Sequence, residues 1–241
     1  MAYKMLLSMS ADSKTVKGET MGYLTGILYL TPASGAGVGD LCPYALLAGC
    51  AAPCLNTAGR GAFSNVQLAR YNKTISFKTD RDAFFCNLVK SIRRLCTRAK
   101  RMGLIPVVRL NGTSDVQWEK YAFMFDGVFY ANIMEYYSDV IFYDYTKIPT
   151  RSGIPSNYDL TFSYSGVETF AVVYAEARLN PVFKRFAVVF DKAANIPSMF
   201  DGVKTIDGDK TDLRFLDGGG VVALYAKGKA KKDVSGFVVR M

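Results

Sequence analysis

The chain has 241 residues, 50% of them hydrophobic and 13% aromatic, with a net charge of +9 and no histidine. That size and apolar content build a core of their own and exclude disorder as the main state. The absence of histidine removes Ser-His-Asp hydrolases, His-ligated zinc hydrolases and His phosphotransferases from consideration.

An odd number of cysteines, five, and an N-terminus whose apolar segment is too short for a secretion signal indicate a reducing cytosol rather than a disulfide framework. No apolar run reaches the length of a membrane span, so no membrane partner is expected. We expect one domain, 1–241, with a cysteine loop at 40–61 inserted before a run of βα units.

Taken in order, residues Met1 to Ser10 and Gly22 to Thr31 read as strands, the second (GYLTGILYLT) rich in aromatic and β-branched residues. The polar stretch Ala11 to Thr20 between them reads as a turn or loop. The small-residue segment PASGAGVG, residues 32–39, lacks the G-x-G-x-x-G spacing of a dinucleotide site and delivers the chain to Cys42.

The stretch CPYALLAGCAAPCLNTAGRG, residues 42–61, holds Cys42, Cys50 and Cys54. Thiolates are soft ligands that suit iron–sulfur clusters or zinc. The C-x7-C-x3-C spacing is not that of a zinc knuckle, and no histidine is present to complete one. Three such ligands would leave one iron of a [4Fe-4S] cluster open to solvent, substrate or another ligand. Free cysteines packed as small hydrophobes are the plain alternative. A short helix over Leu46 to Cys54 would place Cys50 and Cys54 on one face, a turn apart.

A helix starting at Ser64 or Asn65 and running through Tyr71 follows, with Arg60, Arg70 and Lys73 available to offset negative charge near the cysteines. The plainest helix runs from Asp82 to Arg101. Thr79 or Asp80 caps it, Gly103 stops it, and Phe85, Leu88, Val89, Ile92, Leu95, Cys96 and Ala99 form its apolar stripe. Cys96 is read as core, and Cys86 as either packed or exposed. Lys90, Arg93, Arg94, Arg98, Lys100, Arg101 and Arg109 lie in an acid-free stretch from 83 to 114, and Lys227, Lys229, Lys231 and Lys232 form a second basic cluster. Such clusters either bind phosphate backbones or are simply solvated, so nucleic acid is a candidate partner.

Beyond the helix the chain alternates. Strands are expected at Leu104–Leu110, Asp139–Tyr145, Tyr158–Ser163, Arg185–Asp191 and Leu213–Asp217, with helices at Asn132–Tyr137 and Val167–Leu179. Val221–Ala226 is read as a hairpin partner joined through Gly218–Gly220. The pattern predicts an α/β fold, a partial or irregular βα (TIM-like) barrel with an N-terminal cysteine-bearing loop. Ligands of such folds bind at the C-terminal strand ends, where Asn111, Asp115, Asp144, Lys147 and Ser163 would gather. Asn111, Asp115, Asp144 and Lys147 are therefore candidate cofactor-binding residues. Asp115 and Glu119 beside Trp118 suit a hard metal or a helix cap, and the aspartates of 206–212 suit a polar turn better than a calcium loop.

The stretches NTAGRGAF, RLNGTSD with Trp118–Glu119, FYDYTK, LTFS, AVVFD, DGDKTDLRFLD and AKGKA resemble a family of phage and plasmid proteins labelled "gene product eighty-eight", over about Leu6 to Val238. The label carries no reaction. It implies a virus or mobile-element origin and expression in the cytoplasm of an infected bacterium. The family pattern includes the cysteine loop, matched at Cys42, Cys50 and Cys54, and leaves out Cys86 and Cys96. A second resemblance, to radical S-adenosylmethionine proteins, lies in three cysteines preceding βα units. It implies S-adenosylmethionine at the open iron, although the spacing departs from C-x3-C-x2-C and no G-G-E stretch is present.

Overall fold

The computed structural model describes residues 5–10 and 13–241. Of the first expected strand, residues 1–4 lie outside the described residues, and β1 is Leu7–Met9. Helix α1 (Ser13–Thr20) replaces the expected loop, of which residues 11 and 12 are not described. It carries no apolar stripe. It buries Thr15 and sets Gly18 against Leu213, so tertiary contact rather than periodicity makes the helix.

After β2 (Tyr23–Leu28) the cysteine loop leads to α2 (Ser64–Thr79), which runs two turns beyond its expected end. Helix α3 (Arg81–Met102) follows expectation closely: the Asp80 side chain accepts from the Ala83 amide, and Gly103 closes the helix at φ 67°. Then come β3 (Ile105–Arg109), the hairpin β4 (Phe123–Phe125) and β5 (Val128–Tyr130), which the sequence had not suggested, and α4 (Ile133–Tyr136). Strands β6 (Ile141–Thr146) and β7 (Tyr158–Ser163), helix α5 (Ala171–Leu179) and β8 (Arg185–Phe190) match the expected alternation.

The chain ends through β9 (Met199–Phe200), β10 (Val203–Asp207) and β11 (Gly220–Tyr225). Two expectations fail here. Residues 213–217 are not a strand but hold a 3-10 turn, Arg214–Leu216, because Leu213 and Phe215 pack onto the face of the sheet instead of joining its edge. The hairpin through 218–220 therefore does not form. Strand β11 instead inserts between β8 and β10, parallel to both.

The strands form one nine-stranded sheet in the order β1-β2-β3-β6-β7-β8-β11-β10-β9. Everything from β2 to β10 in that order runs parallel; β1 and β9 run antiparallel at the two edges. The molecule is thus a mixed α/β protein built on a large, mostly parallel sheet.

Alternation sorts the strand residues between two faces. One carries Leu24, Val108, Phe142, Leu160 and Phe162 into the main core, where the α3 stripe and Trp118 pack. The other carries Val107, Tyr143 and their neighbours under Leu213 and Phe215, so the β10–β11 connection crosses back over β2, β3 and β6. Cys86 and Cys96 are half-buried against the main core, as the stripe implied for Cys96.

A buried ion pair pins the loops beyond β3 and β6. Arg151 Nε and Nη2 donate to Glu119 Oε1 and Oε2 at 2.8 and 2.6 Å, with the arginine side chain fully enclosed. Glu119 is thereby an ion-pair partner rather than half of a metal site. Breaking a buried pair from one side leaves the other charge uncompensated. Arg151→Met is expected to cost about 3–5 kcal/mol of folding stability. Urea denaturation would measure it, with the Arg151→Met/Glu119→Gln double variant losing clearly less than the sum of the single changes.

Candidate functional site: a cysteine-lined pocket at the strand ends

Cys42, Cys50 and Cys54 line one cavity of about 240 Å³ at the C-terminal ends of the parallel strands. Its floor comes from β3 (Arg109 and the loop 111–115), β6 (Tyr145 to Lys147), β7 (Ser163), β8 (Val189) and β11 (Leu224, Tyr225). The chain after β11 forms one side: Gly228 sits against Ala58, Ser235 Oγ donates to the Gly49 carbonyl at 2.8 Å, and Phe237 lines the cavity.

The cysteine loop is not the helix expected over 46–54. It is a chain of tight turns: the amide of Ala48 bonds to the Tyr44 carbonyl and that of Cys50 to the Ala45 carbonyl. At Gly49 the chain leaves right-handed geometry, with φ 63°, against Ser235 and Val167. The turns do what the helix was expected to do, since all three thiols still reach the same cavity.

The thiols are half-buried and chemically quiet as they stand. Burial pushes Cys42 up to about 12, opposed by a hydrogen bond from the backbone. Burial likewise raises Cys50, with the Lys147 ammonium as the main opposing influence. Cys54 is raised by burial and eased by the Asn56 amide, which donates to its sulfur at 3.4 Å, and by Arg70. Of the expected neighbouring cations only Arg70 serves the loop: it donates to the Asn56 carbonyl and Oδ1 at 2.5 and 2.6 Å. Lys73 is spent on the Leu6 carbonyl, and Arg60 is exposed. Among the described residues, no group of three or more cysteine, aspartate or glutamate side chains is placed to hold a metal ion.

The strand-end residues divide. Asn111, Asp115, Lys147 and Ser163 reach the cavity; Asp144 does not line it. Asp144 lies on the helix-side face with Phe142, where its carboxylate accepts from the amides of Leu110 (3.3 Å) and Asn111 (2.7 Å) and from Tyr158 Oη (2.9 Å). Burial still pushes its carboxyl up to about 7. Asn111 is fully engaged in shaping its own loop, its Oδ1 accepting from Ser114, Val116 and Trp118 Nε1. Asp115 Oδ2 accepts from the Lys147 amide at 2.7 Å, while its Oδ1 is buried without a hydrogen-bond donor.

Lys147 Nζ donates to Ser163 O, Ser163 Oγ and Tyr164 O at 2.9, 3.1 and 3.1 Å, between the rings of Phe170 and Phe237. Burial lowers its pKa to about 8, with Cys50 and Asp115 pulling the other way.

The sequence had not pointed to the pairing of Arg109 with Asp212 (2.8 Å), the stacking of Arg109 over Tyr145, the Lys227–Asp209 pair or Phe237. Reading residues 203–207 as a strand would have placed Asp209 at a strand end.

The arrangement defines an α/β protein with a thiol-lined pocket at the C-terminal ends of a parallel sheet. The family described as Gene product 88 matches residues 5–241, and the chain belongs to it. No curated protein and no solved structure matches the chain. No helix among the described residues is long and apolar enough to cross a membrane.

Because Cys42 ionises only toward about 12, its alkylation by iodoacetamide in metal-free protein should be slow at neutral pH and climb as pH rises through that range. Lys147→Met removes the cation that favours the Cys50 thiolate. Peptide mapping by mass spectrometry should then show Cys50 slowed and Cys54, whose nearby cation is Arg70, unaffected.

Proposed function

We propose that the pocket holds a [4Fe-4S] cluster on Cys42, Cys50 and Cys54, with the fourth iron facing the cavity and a small-molecule ligand. The observation that carries this reading is that three soft donors of one loop line a single cavity at the ligand-binding end of a parallel sheet. The thiols sit on linked turns, and binding would draw them together. The charges suit such a group: Lys147 lies beside Cys50 and Arg70 beside Cys54, each offsetting thiolate charge. When bound, an iron–sulfur cluster would supply one-electron or Lewis-acid chemistry at the open iron.

The finer reading is a partial βα barrel that presents S-adenosylmethionine to that iron. It is supported by the chain-order succession of β2, β3, β6, β7, β8 and β11 as parallel neighbours, with the cysteine loop directly after β2. It is also supported by one pocket collecting residues from strands as far apart as β3 and β11. Expression from a phage or plasmid in a bacterial cytoplasm belongs to the same reading.

Protein purified without oxygen should be brown, with an absorbance band near roughly 400 nm and matching iron and sulfide. Cys50→Ser should abolish the band, and S-adenosylmethionine should perturb the paramagnetic signal of the reduced protein. Near-stoichiometric zinc without iron would replace this reading with a structural site.

A second reading has its own observation. Lys90, Arg93, Arg94, Arg98, Lys100 and Arg101 are all exposed on α3, which has no acid after Asp82. We propose it as a phosphate-backbone contact. Binding of single- or double-stranded DNA should weaken steeply between 50 and 200 mM salt, the range over which several phosphate contacts cost about 10³-fold or more. Binding that is absent, or indifferent to salt, would dismiss this reading.

A further inference from the structure

Behind the cysteine loop lies a second cavity, of about 380 Å³, which the thiol pocket does not explain. The two share one wall, Asp115, and the loop residues on either side of Cys42, Leu41 and Pro43, line the second. Two ammonium groups border it, from Lys78 on α2 and from Lys120 on the turn after Trp118. Among the described residues neither has a carboxylate partner, and Lys78 Nζ lies beside Gly39 and 5.9 Å from the centre of the Phe77 ring. Gln117 also lines the cavity, and its Nε2 is buried with no acceptor. A buried amide donor that finds no acceptor in the protein is costly unless something else accepts from it, and two ammonium groups stand at the same cavity.

We propose that this second cavity binds a phosphate group, free or on a small phosphoester, between Lys78, Lys120 and Gln117.

The two carboxylates at the cavity are both engaged within the protein. Asp40 Oδ1 is engaged by the Cys42 amide at 2.6 Å, so its charge is partly committed to the loop. Asp115 Oδ2 accepts from the Lys147 amide at 2.7 Å, and Arg151 Nη1 lies 3.8 Å from its Oδ1. The lining thus offers two ammonium groups and one unpartnered amide donor, which suit a tetrahedral oxyanion. A hard metal ion is disfavoured because both lysines would repel it.

The site is independent of iron content, so its test does not rest on the cluster. Equilibrium dialysis of the full chain with radiolabelled inorganic phosphate, at ionic strength held constant with sodium chloride, should show one saturable site per chain. Lys78→Met and Lys120→Met, both at positions that leave the core untouched, should each weaken binding about tenfold, and Gln117→Leu should weaken it further. A short oligothymidylate that displaces the phosphate would place the group on a phosphodiester; failure to displace it would assign a free phosphate or monoester. Absence of saturable binding at millimolar phosphate, or binding unchanged in all three variants, would overturn the proposal. Circular dichroism of each variant separates lost binding from lost fold.

Discussion

The loops leaving β3 and β6 hold one another through an exchange of carboxylates. Asp144, near the end of β6, takes the backbone amides of Leu110 and Asn111 where β3 ends; Asp115, from the loop after β3, takes the amide of Lys147 where β6 ends. Each strand thus supplies the acceptor that its neighbour's exit requires, in a place where an unpaired amide would be expensive. Asn111 then closes its own loop on Trp118, and Trp118 locks into the aromatic core with Phe77 and Phe84. The pocket floor inherits this order. Gly112 lies within it against the backbone of Leu28 and the side chains of Ile27 and Tyr29, at distances no Cβ would tolerate.

Much of the fold could be read in the sequence, and the reasons are local ones. Helix α3 announced itself through a cap, a stop and an apolar stripe, and β7 through a bounded run of β-branched and aromatic residues. What was missed depends on distant partners. Helix α1 packs through Gly18 against Leu213, a partner almost two hundred residues away. Residues 213–217 look like a strand by composition, yet they serve the face of the sheet instead of its edge. The short strands β9 and β10, at and next to one edge, are only partly buried, so they carry little apolar pattern to detect.

The site divides in the same way. Residue type alone marked the three thiols, and position at a strand end marked Asn111, Asp115 and Lys147. Asp144 shares that position but not the orientation: with aromatic residues on both faces of β6, alternation in IFYDYT does not say which face is the core. Arg109 meets Asp212 across 103 residues of chain, a pairing that no local pattern encodes. Long-range ion pairs of this kind are invisible until the strand order is known.

The three hydrogens of Lys147 are all committed to the end of β7. A cation held this way has no free hand with which to grip an occupant of the pocket. It contributes a fixed positive potential, present whether the cavity is filled or empty and needing no rearrangement when a guest arrives. Selection at this side of the pocket would then go by the sign and bulk of the guest, with the finer geometry left to the thiols.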